Sequence, residues 1–176
     1  MHIIIDGYNL IRQSDSLRRL ERFSLEEGRS GLIQRVAGYK KLKGHKMTVV
    51  FDGWMDGSAR EERLREDGVS IVYSRRGETA DEVIKRMAMA GRGREVIVAT
   101  SDRDVADSVV RAGGVVISSP EFEARMMEAE MMVMINGGEP CEEDDYDIPE
   151  SGTRKKGTSK RKPKRERQSQ RRLSKL

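Results

Sequence analysis

Five short runs of apolar, mostly β-branched residues alternate along the chain with longer segments of helical periodicity, and this alternation constrains the fold more than any other feature. The runs are nearly continuous rather than apolar at every second residue, which is typical of parallel strands covered on both faces. They are residues 3–5, 47–51, 69–73, 96–99 and 115–117. A chain of 176 residues with this pattern is predicted to form an α/β domain of three layers around a mostly parallel five-stranded sheet.

Apolar residues recur at helical spacing in the intervals between these runs, which predicts helices that cover both faces of the sheet. The predicted helices span about residues 25–42, 56–67, 80–91 and 105–112, with a last one from Pro120 to about Met134. The apolar residues of the last helix include Met126, Met127, Met131 and Met134. We expect them either in the core or on a surface through which two copies of the chain pair.

Charged residues are distributed in blocks that mark the domain boundaries. Residues 137–150 contain seven acidic and no basic side chains, and residues 151–176 contain twelve Lys or Arg and one Glu. Because the chain as a whole carries +4, residues 1–136 are neutral in sum. Segments so charged and so poor in apolar residues do not bury enough surface to fold. The sequence therefore predicts a folded domain at 1–136, an acidic linker at 137–150 and a disordered basic tail at 151–176.

The basic tail is expected to bind nucleic acid, because each neutralised phosphate releases a counterion. The alternative is a tail that only keeps the protein in solution. The sequence also excludes a disulfide-stabilised fold and a Cys/His zinc protein. One cysteine and two histidines provide neither an intramolecular disulfide nor a set of zinc ligands. The sequence has no run of about 18 apolar residues and no signal-peptide pattern. A cytoplasmic protein without a membrane partner is therefore expected.

Acidic residues follow three of the five predicted strands, and the carboxyl ends of parallel strands open onto one edge of a sheet. The residues after the strands are Asp6, Asp52, Asp102 and Asp104. The helix that follows the third predicted strand adds Glu78, Asp81 and Glu82 at its start. Thr79 and Glu82 fit a capping box and Ser101 fits an N-cap, but capping does not account for Asp6 and Asp52, which lead directly into glycines. Converging carboxylates repel unless a cation lies among them, and oxygen ligands without His or Cys favour Mg²⁺ or Mn²⁺.

Four segments carry these acids in a recognisable order: residues 3–11 (IIIDGYNLI), 49–53 (VVFDG), 79–82 (TADE) and 100–104 (TSDRD). Together they resemble the YacP-like family of NYN-domain proteins, relatives of the PIN-domain nucleases, over residues 1 to about 135. The resemblance implies a Rossmann-like sheet of strand order 3-2-1-4-5 and metal-dependent RNA hydrolysis by a two-metal mechanism. It also implies a site composed of Asp6, Asp81, Asp102 and Asp104 as metal ligands, Asp52 in support, and Asn9 beside them as a catalytic residue.

Glu78 could replace or assist Asp81 in that set. Further side chains near the same edge are candidates for contact with RNA, namely Arg12, Arg75, Arg76, Lys85, Ser101 and Arg103. The expected activity is endonucleolytic cleavage of messenger, ribosomal or transfer RNA, with the ribosome as a further partner. The alternative is an RNA-binding module or ribosome-associated adaptor that keeps the fold without catalysis.

Overall fold

The computed structural model describes residues 1–53, 60–135 and 164–176. Its six strands are β1 (His2–Asp6), β2 (Lys46–Phe51), β3 (Glu62–Glu66), β4 (Val69–Tyr73), β5 (Val96–Ala99) and β6 (Val115–Ile117). Its helices are α1 (Gly7–Gln13), α2 (Asp15–Phe23), α3 (Leu25–Lys43), α4 (Ala80–Ala90), α5 (Arg103–Ala112), α6 (Ser119–Ile135) and α7 (Lys164–Leu173). None of these helices is long and apolar enough to cross a membrane.

The sheet has the order β3-β4-β2-β1-β5-β6. The five predicted strands are β1, β2, β4, β5 and β6, so their order is 3-2-1-4-5, and all of their pairings are parallel. In the central register Ile4 lies opposite Thr48 on one side and Val98 on the other. The predicted α/β fold and the order of these five strands are therefore confirmed.

The prediction of five strands and of a short helix over residues 56–67 is wrong, because residues 62–66 form a sixth strand. β3 pairs antiparallel with β4, with Leu64 opposite Ile71, and all five of its residues are exposed. A two-residue turn with positive φ at Asp67 and Gly68 joins the two strands, which matches the Asp-Gly signal of a type I′ hairpin. Residues 56–59 of the predicted helix lie outside the described residues.

Apolar side chains on the two faces of the sheet form two separate clusters, and these confirm the three layers. On one face Ile3 and Ile5 of β1 pack with residues of α1, α2, α3 and α6. On the other face Ile4 packs with α4 and α5 through residues such as Val83 and Val105. Successive residues of a strand point to opposite faces, so a continuous apolar run is what a doubly covered strand requires.

The prediction of a disordered tail over residues 151–176 is wrong for its last part. Residues 164–173 form α7, and the terminal residue Leu176 is only 5% exposed within the core. The Tyr39 hydroxyl donates to the Leu176 carbonyl oxygen, and Arg125 Nη1 donates to that of Leu173 over 2.9 Å. Two leucines thus give this basic segment an apolar side. The acidic linker at 137–150 and residues 151–163 lie outside the described residues.

The methionines of α6 divide between the core and the surface. Met126 is buried, whereas four others with Ile135 at the helix end are at least half exposed: Met127, Met131, Met132 and Met134. The expected pairing of two copies through this face stays a prediction.

Candidate active site

The candidate site lies at the carboxyl edge of the sheet, where the strand order reverses between β1 and β5. Ligands of open α/β sheets bind at such switch points. Asp6 ends β1 and Thr100 follows β5, and the Thr100 hydroxyl donates to Asp6 Oδ2 over 3.1 Å. Asp6 is 6% exposed, so the fold places a nearly buried carboxylate at the switch point.

Both Asp-Gly turns need glycine because another group lies against the backbone. A Cβ atom at Gly7 would lie 2.3 Å from the Phe51 ring, and one at Gly53 would lie 1.9 Å from the Ser74 carbonyl oxygen. The Gly53 N–H also donates to Ser74 Oγ over 2.9 Å. The glycines therefore let the ends of β1, β2 and β4 approach closely, which brings the two preceding aspartates to one edge.

Asp6 also caps a helix, which corrects the expectation that capping does not account for it. Its Oδ1 accepts from the Asn9 N–H over 3.2 Å at the start of α1. Burial raises the pKa of Asp6 from 3.8 to about 6; these hydrogen bonds oppose the increase, and the charges of Asp81 and Asp52 add to it. Near neutral pH the carboxylate therefore carries a charge that its surroundings compensate poorly.

Asp52 and Asp81 meet at the start of α4. Asp52 Oδ1 accepts from the Ala80 N–H over 2.5 Å, so Asp52, too, satisfies a helix terminus. The predicted capping box between Thr79 and Glu82 is confirmed. Burial and then the Asp102 charge raise the pKa of Asp81, with Lys85 opposing them and Asp52 adding to the increase.

Asp102 and Asp104 have different surroundings although they are two residues apart. Asp102, and not Ser101 as predicted, is the N-cap of α5, since its Oδ1 accepts from the Val105 N–H over 3.0 Å. Asp104 projects into solvent and forms an ion pair with Lys85. This hydrogen bond lowers the pKa of Asp104. The structure thus joins a predicted metal ligand to a predicted RNA-contacting lysine.

Four of the predicted acids therefore converge: Asp6, Asp52, Asp81 and Asp102. Within the described part of the chain, no three His, Cys, Asp or Glu side chains are placed so that all could hold one metal ion. Mg²⁺ retains several waters and takes only one or two protein carboxylates in many sites. An oxygen-only set with excess negative charge therefore fits a hydrated Mg²⁺ or Mn²⁺, whereas it does not fit a cage of protein ligands alone.

Glu78, which could replace or assist Asp81 in the predicted set of ligands, forms ion pairs with two arginines instead. Its side chain is 8% exposed and forms ion pairs with Arg86 and with Arg75, the latter over 3.2 Å. Arg86 also pairs with Glu61 beside β3. These contacts tie the start of α4 to the edge of the sheet, which is a structural role.

Asn9 and Ser101 belong to a polar network that fixes the loop between β5 and α5. Asn9 Oδ1 accepts from the Ser101 N–H over 3.0 Å, from Ser119 Oγ over 2.7 Å and from Gln13 Nε2 over 2.9 Å. Ser101 Oγ donates to Gln13 Oε1 and accepts from the Ser119 N–H. Since Asn9 Oδ1 already accepts three hydrogen bonds, its role in this structure is to position the β5–α5 loop.

The predicted RNA-contacting cations surround this edge. Arg12, Arg75, Arg76 and Arg103 are exposed, whereas Lys85 is partly covered. Their exposure is compatible with phosphate binding, and their role stays a prediction.

Arg29 of α3, which is not among the residues predicted from the sequence, lies against aromatic residues near the ends of β2 and β4. Its guanidinium donates from Nε to the Tyr8 hydroxyl over 2.8 Å. It also lies over three aromatic rings, at 5.4 Å from the centroids of Tyr8 and Tyr73 and 5.7 Å from that of Phe51. No local motif around Arg29 signals these contacts, because all three rings come from distant parts of the chain.

Comparisons with known proteins agree with this architecture. The chain is 35% identical over 102 residues to the uncharacterized protein YacP of Bacillus subtilis (strain 168), which covers 57% of this chain and 59% of that protein. Two crystal structures of Rae1 (YacP) from Bacillus subtilis are also similar. One has a TM-score of 0.66 at 28% identity, covering 78% of this chain and 79% of the other. The second, of a single-site mutant, has a TM-score of 0.64 at 29% identity, covering 76% and 79%.

A family model for the YacP-like NYN domain matches residues 3–176. The prediction that the resemblance ends near residue 135 is therefore wrong, and the extended match agrees with the packing of α7 on the core. The matched residues include all four segments that carry the resemblance to this family. The chain belongs to the YacP-like NYN domain family, a PIN-like nuclease family.

Proposed function

We propose that the chain is a metal-dependent endoribonuclease that hydrolyses RNA phosphodiesters in the cytoplasm by a two-metal mechanism. The observation that carries the proposal is the placement of Asp6, a nearly buried carboxylate at the switch point whose pKa is raised by burial and further by Asp81 and Asp52. A protein gains no stability from such uncompensated charge. A bound divalent cation would compensate the negative charge of Asp6 and its neighbours. Metal binding therefore gives a reason for acids that do not stabilise the fold.

Asp6, Asp81 and Asp102 are the residues that would hold Mg²⁺ or Mn²⁺, with Asp52 in support through the start of α4. When bound, such ions lower the pKa of a water molecule and stabilise the leaving oxygen of a phosphodiester. Asp104 is assigned a different task, because it forms an ion pair with Lys85. It holds that ammonium group at the rim, where it can meet a phosphate of the RNA.

The remaining residues of the edge orient the substrate. Asn9 and Ser101 hold the β5–α5 loop in place, and the exposed guanidinium groups of Arg12, Arg76 and Arg103 supply phosphate contacts. α7 adds further cations on a docked helix. Arg172 donates to the Gly113 carbonyl oxygen just before β6, so these cations lie towards the opposite edge of the sheet. Cations at both edges suit a large RNA, and ribosome-bound RNA is the substrate that we propose.

A second candidate is an RNA-binding module or ribosome-associated adaptor without catalysis. One observation favours it: the acids already have structural partners, since Asp6, Asp52 and Asp102 satisfy helix N-termini and Asp104 pairs with Lys85. In that case the acids would shape the fold and the cations alone would bind RNA.

Cleavage assays on the purified protein distinguish the two candidates. Linear, circular and ribosome-bound RNAs are incubated with Mg²⁺, with Mn²⁺ or with EDTA. Cleavage of the circular RNA in a divalent metal, its absence in EDTA and its loss in Asp6→Asn are the expected results. Asp15→Asn is the matched control, since that side chain is 88% exposed in α2. RNA binding without cleavage under every metal condition would favour the adaptor.

A further inference from the structure

Helices α2 and α3 form an antiparallel hairpin beside the candidate site. Ser24 joins them and caps α3, its Oγ accepting from the Glu27 N–H over 3.0 Å. The helices approach closely through glycine: a Cβ at Gly28 would lie 3.1 Å from the Glu21 Cα, and one at Gly31 would meet the Leu20 side chain. Positions 21 and 28, and 20 and 31, thus face each other across the turn at residue 24.

The tip of this hairpin lies towards the carboxyl edge of the sheet, because α3 leads from it to the start of β2 at the opposite edge. Near the carboxyl edge the Arg29 guanidinium lies over the rings of Phe51 and Tyr73, which end β2 and β4. The turn at Ser24 precedes Arg29 by five residues, on the same side of the sheet.

The tip carries an aromatic side chain, Phe23, that lies outside the hydrophobic core. Phe23 is 83% exposed, whereas Leu17 of the same helix is fully buried against the core. Exposed guanidinium groups accompany it on α2, from Arg19 and Arg22, and the exposed Glu26 and Glu27 lie on the other side of the turn, in the first turn of α3. An aromatic face next to cations is the combination with which proteins bind unpaired nucleotides, by stacking on a base and neutralising its phosphates.

We propose that the tip of the α2–α3 hairpin binds an unpaired nucleotide of the substrate, with Phe23 stacked on its base and Arg19 and Arg22 on the flanking phosphates. This inference rests on the proposed function and deepens it: the substrate is single-stranded near the bond that is cleaved. A paired base has both faces stacked within its helix, so a duplex offers nothing to Phe23. The stacking selects unpaired RNA without reading its sequence.

Binding of short RNAs in EDTA tests the proposal without cleavage. Phe23→Ala is expected to weaken binding of a single-stranded oligonucleotide about 5- to 100-fold and to leave the weaker binding of a duplex unchanged. Phe23→Trp is expected to restore the affinity. Met89→Ala is the matched control, because Met89 is an apolar side chain of α4 that is 61% exposed on the other face of the sheet.

A stacking signal separates this role from a structural one. An oligonucleotide that contains 2-aminopurine should lose fluorescence on binding to the wild type and to Phe23→Trp, and keep it with Phe23→Ala. Equal affinity of Phe23→Ala and wild type for single strands would overturn the proposal, as would an equal loss for duplex. If no RNA is cleaved in any metal while these binding differences persist, the proposed nuclease function fails and the inference about the tip holds.

Discussion

Replacing Asp6 by asparagine should stabilise the protein at neutral pH in the absence of divalent metal. The carboxyl group is nearly buried, and its pKa rises from 3.8 to about 6. A difference of this size corresponds to about 3 kcal/mol between the ionised and the protonated form. Asparagine keeps the shape and can still accept from the Asn9 N–H, so the variant loses the charge while retaining the cap.

The pH dependence follows from proton binding. Between about pH 4 and pH 6 the unfolded chain has released the Asp6 proton while the folded protein still holds it, so the free energy of unfolding falls as the pH rises. Above about pH 6 Asp6 is ionised in both states, so its contribution to the free energy of unfolding changes little further. Asp6→Asn lacks this contribution, and its advantage over the wild type should therefore be near zero at pH 4 and reach about 2–3 kcal/mol at pH 8.

Urea denaturation of both proteins from pH 4 to pH 8 in EDTA measures this difference, with Asp15→Asn as the exposed control. Mg²⁺ should then stabilise the wild type at pH 8 and leave Asp6→Asn unchanged, because ligand binding to the native state raises stability. A variant that is less stable at pH 8, or an advantage that does not depend on pH, would show that the buried Asp6 charge does not destabilise the folded protein.

Three further changes test other parts of the structure. Glu78→Gln should cost about 1 kcal/mol in urea denaturation by weakening the half-buried ion pair with Arg86. It should retain RNA cleavage, because the Glu78 carboxylate is already paired with Arg75 and Arg86. Deleting residues 164–176 should lower stability by about 2–4 kcal/mol, since Leu176 leaves the core, and should flatten the salt dependence of RNA binding. Gly53→Ala should cost about 1–3 kcal/mol in thermal denaturation because its Cβ would meet Ser74, whereas Gly38→Ala, with open space around it, should be neutral or stabilising.

The sheet was predictable because each central strand is buried on both faces, and burial leaves a continuous apolar run such as residues 3–5. β3 lies on the exposed edge and needs no apolar pattern, so the pairing with β4 alone makes it a strand. Its only local signal was the Asp67-Gly68 turn. α7 was not predicted for a different reason. The high charge of residues 151–176 indicates disorder, whereas two leucines in this segment pack on the core.

The candidate site was predictable to the extent that topology alone determines it. Parallel strands bring their carboxyl ends together, so Asp6, Asp52 and Asp102 had to share one edge. Which side chain caps α5 depends on backbone angles, and these select Asp102 over its neighbour Ser101. The ion pair between Lys85 and Asp104 joins two different helices. Such contacts arise from tertiary packing, and no spacing in the sequence indicates them.

Diffraction from crystals soaked in Mn²⁺, collected at the manganese edge, shows directly whether a metal ion binds between Asp6 and the neighbouring acids. The anomalous signal reports the metal itself, independently of any activity. We expect a peak at the carboxyl edge, at coordination distance from Asp6 and from Asp81 or Asp102, and we expect its loss in Asp6→Asn crystals. A saturating soak that gives no peak there, or a peak confined to other carboxylates, would contradict the claim that this edge is a metal centre.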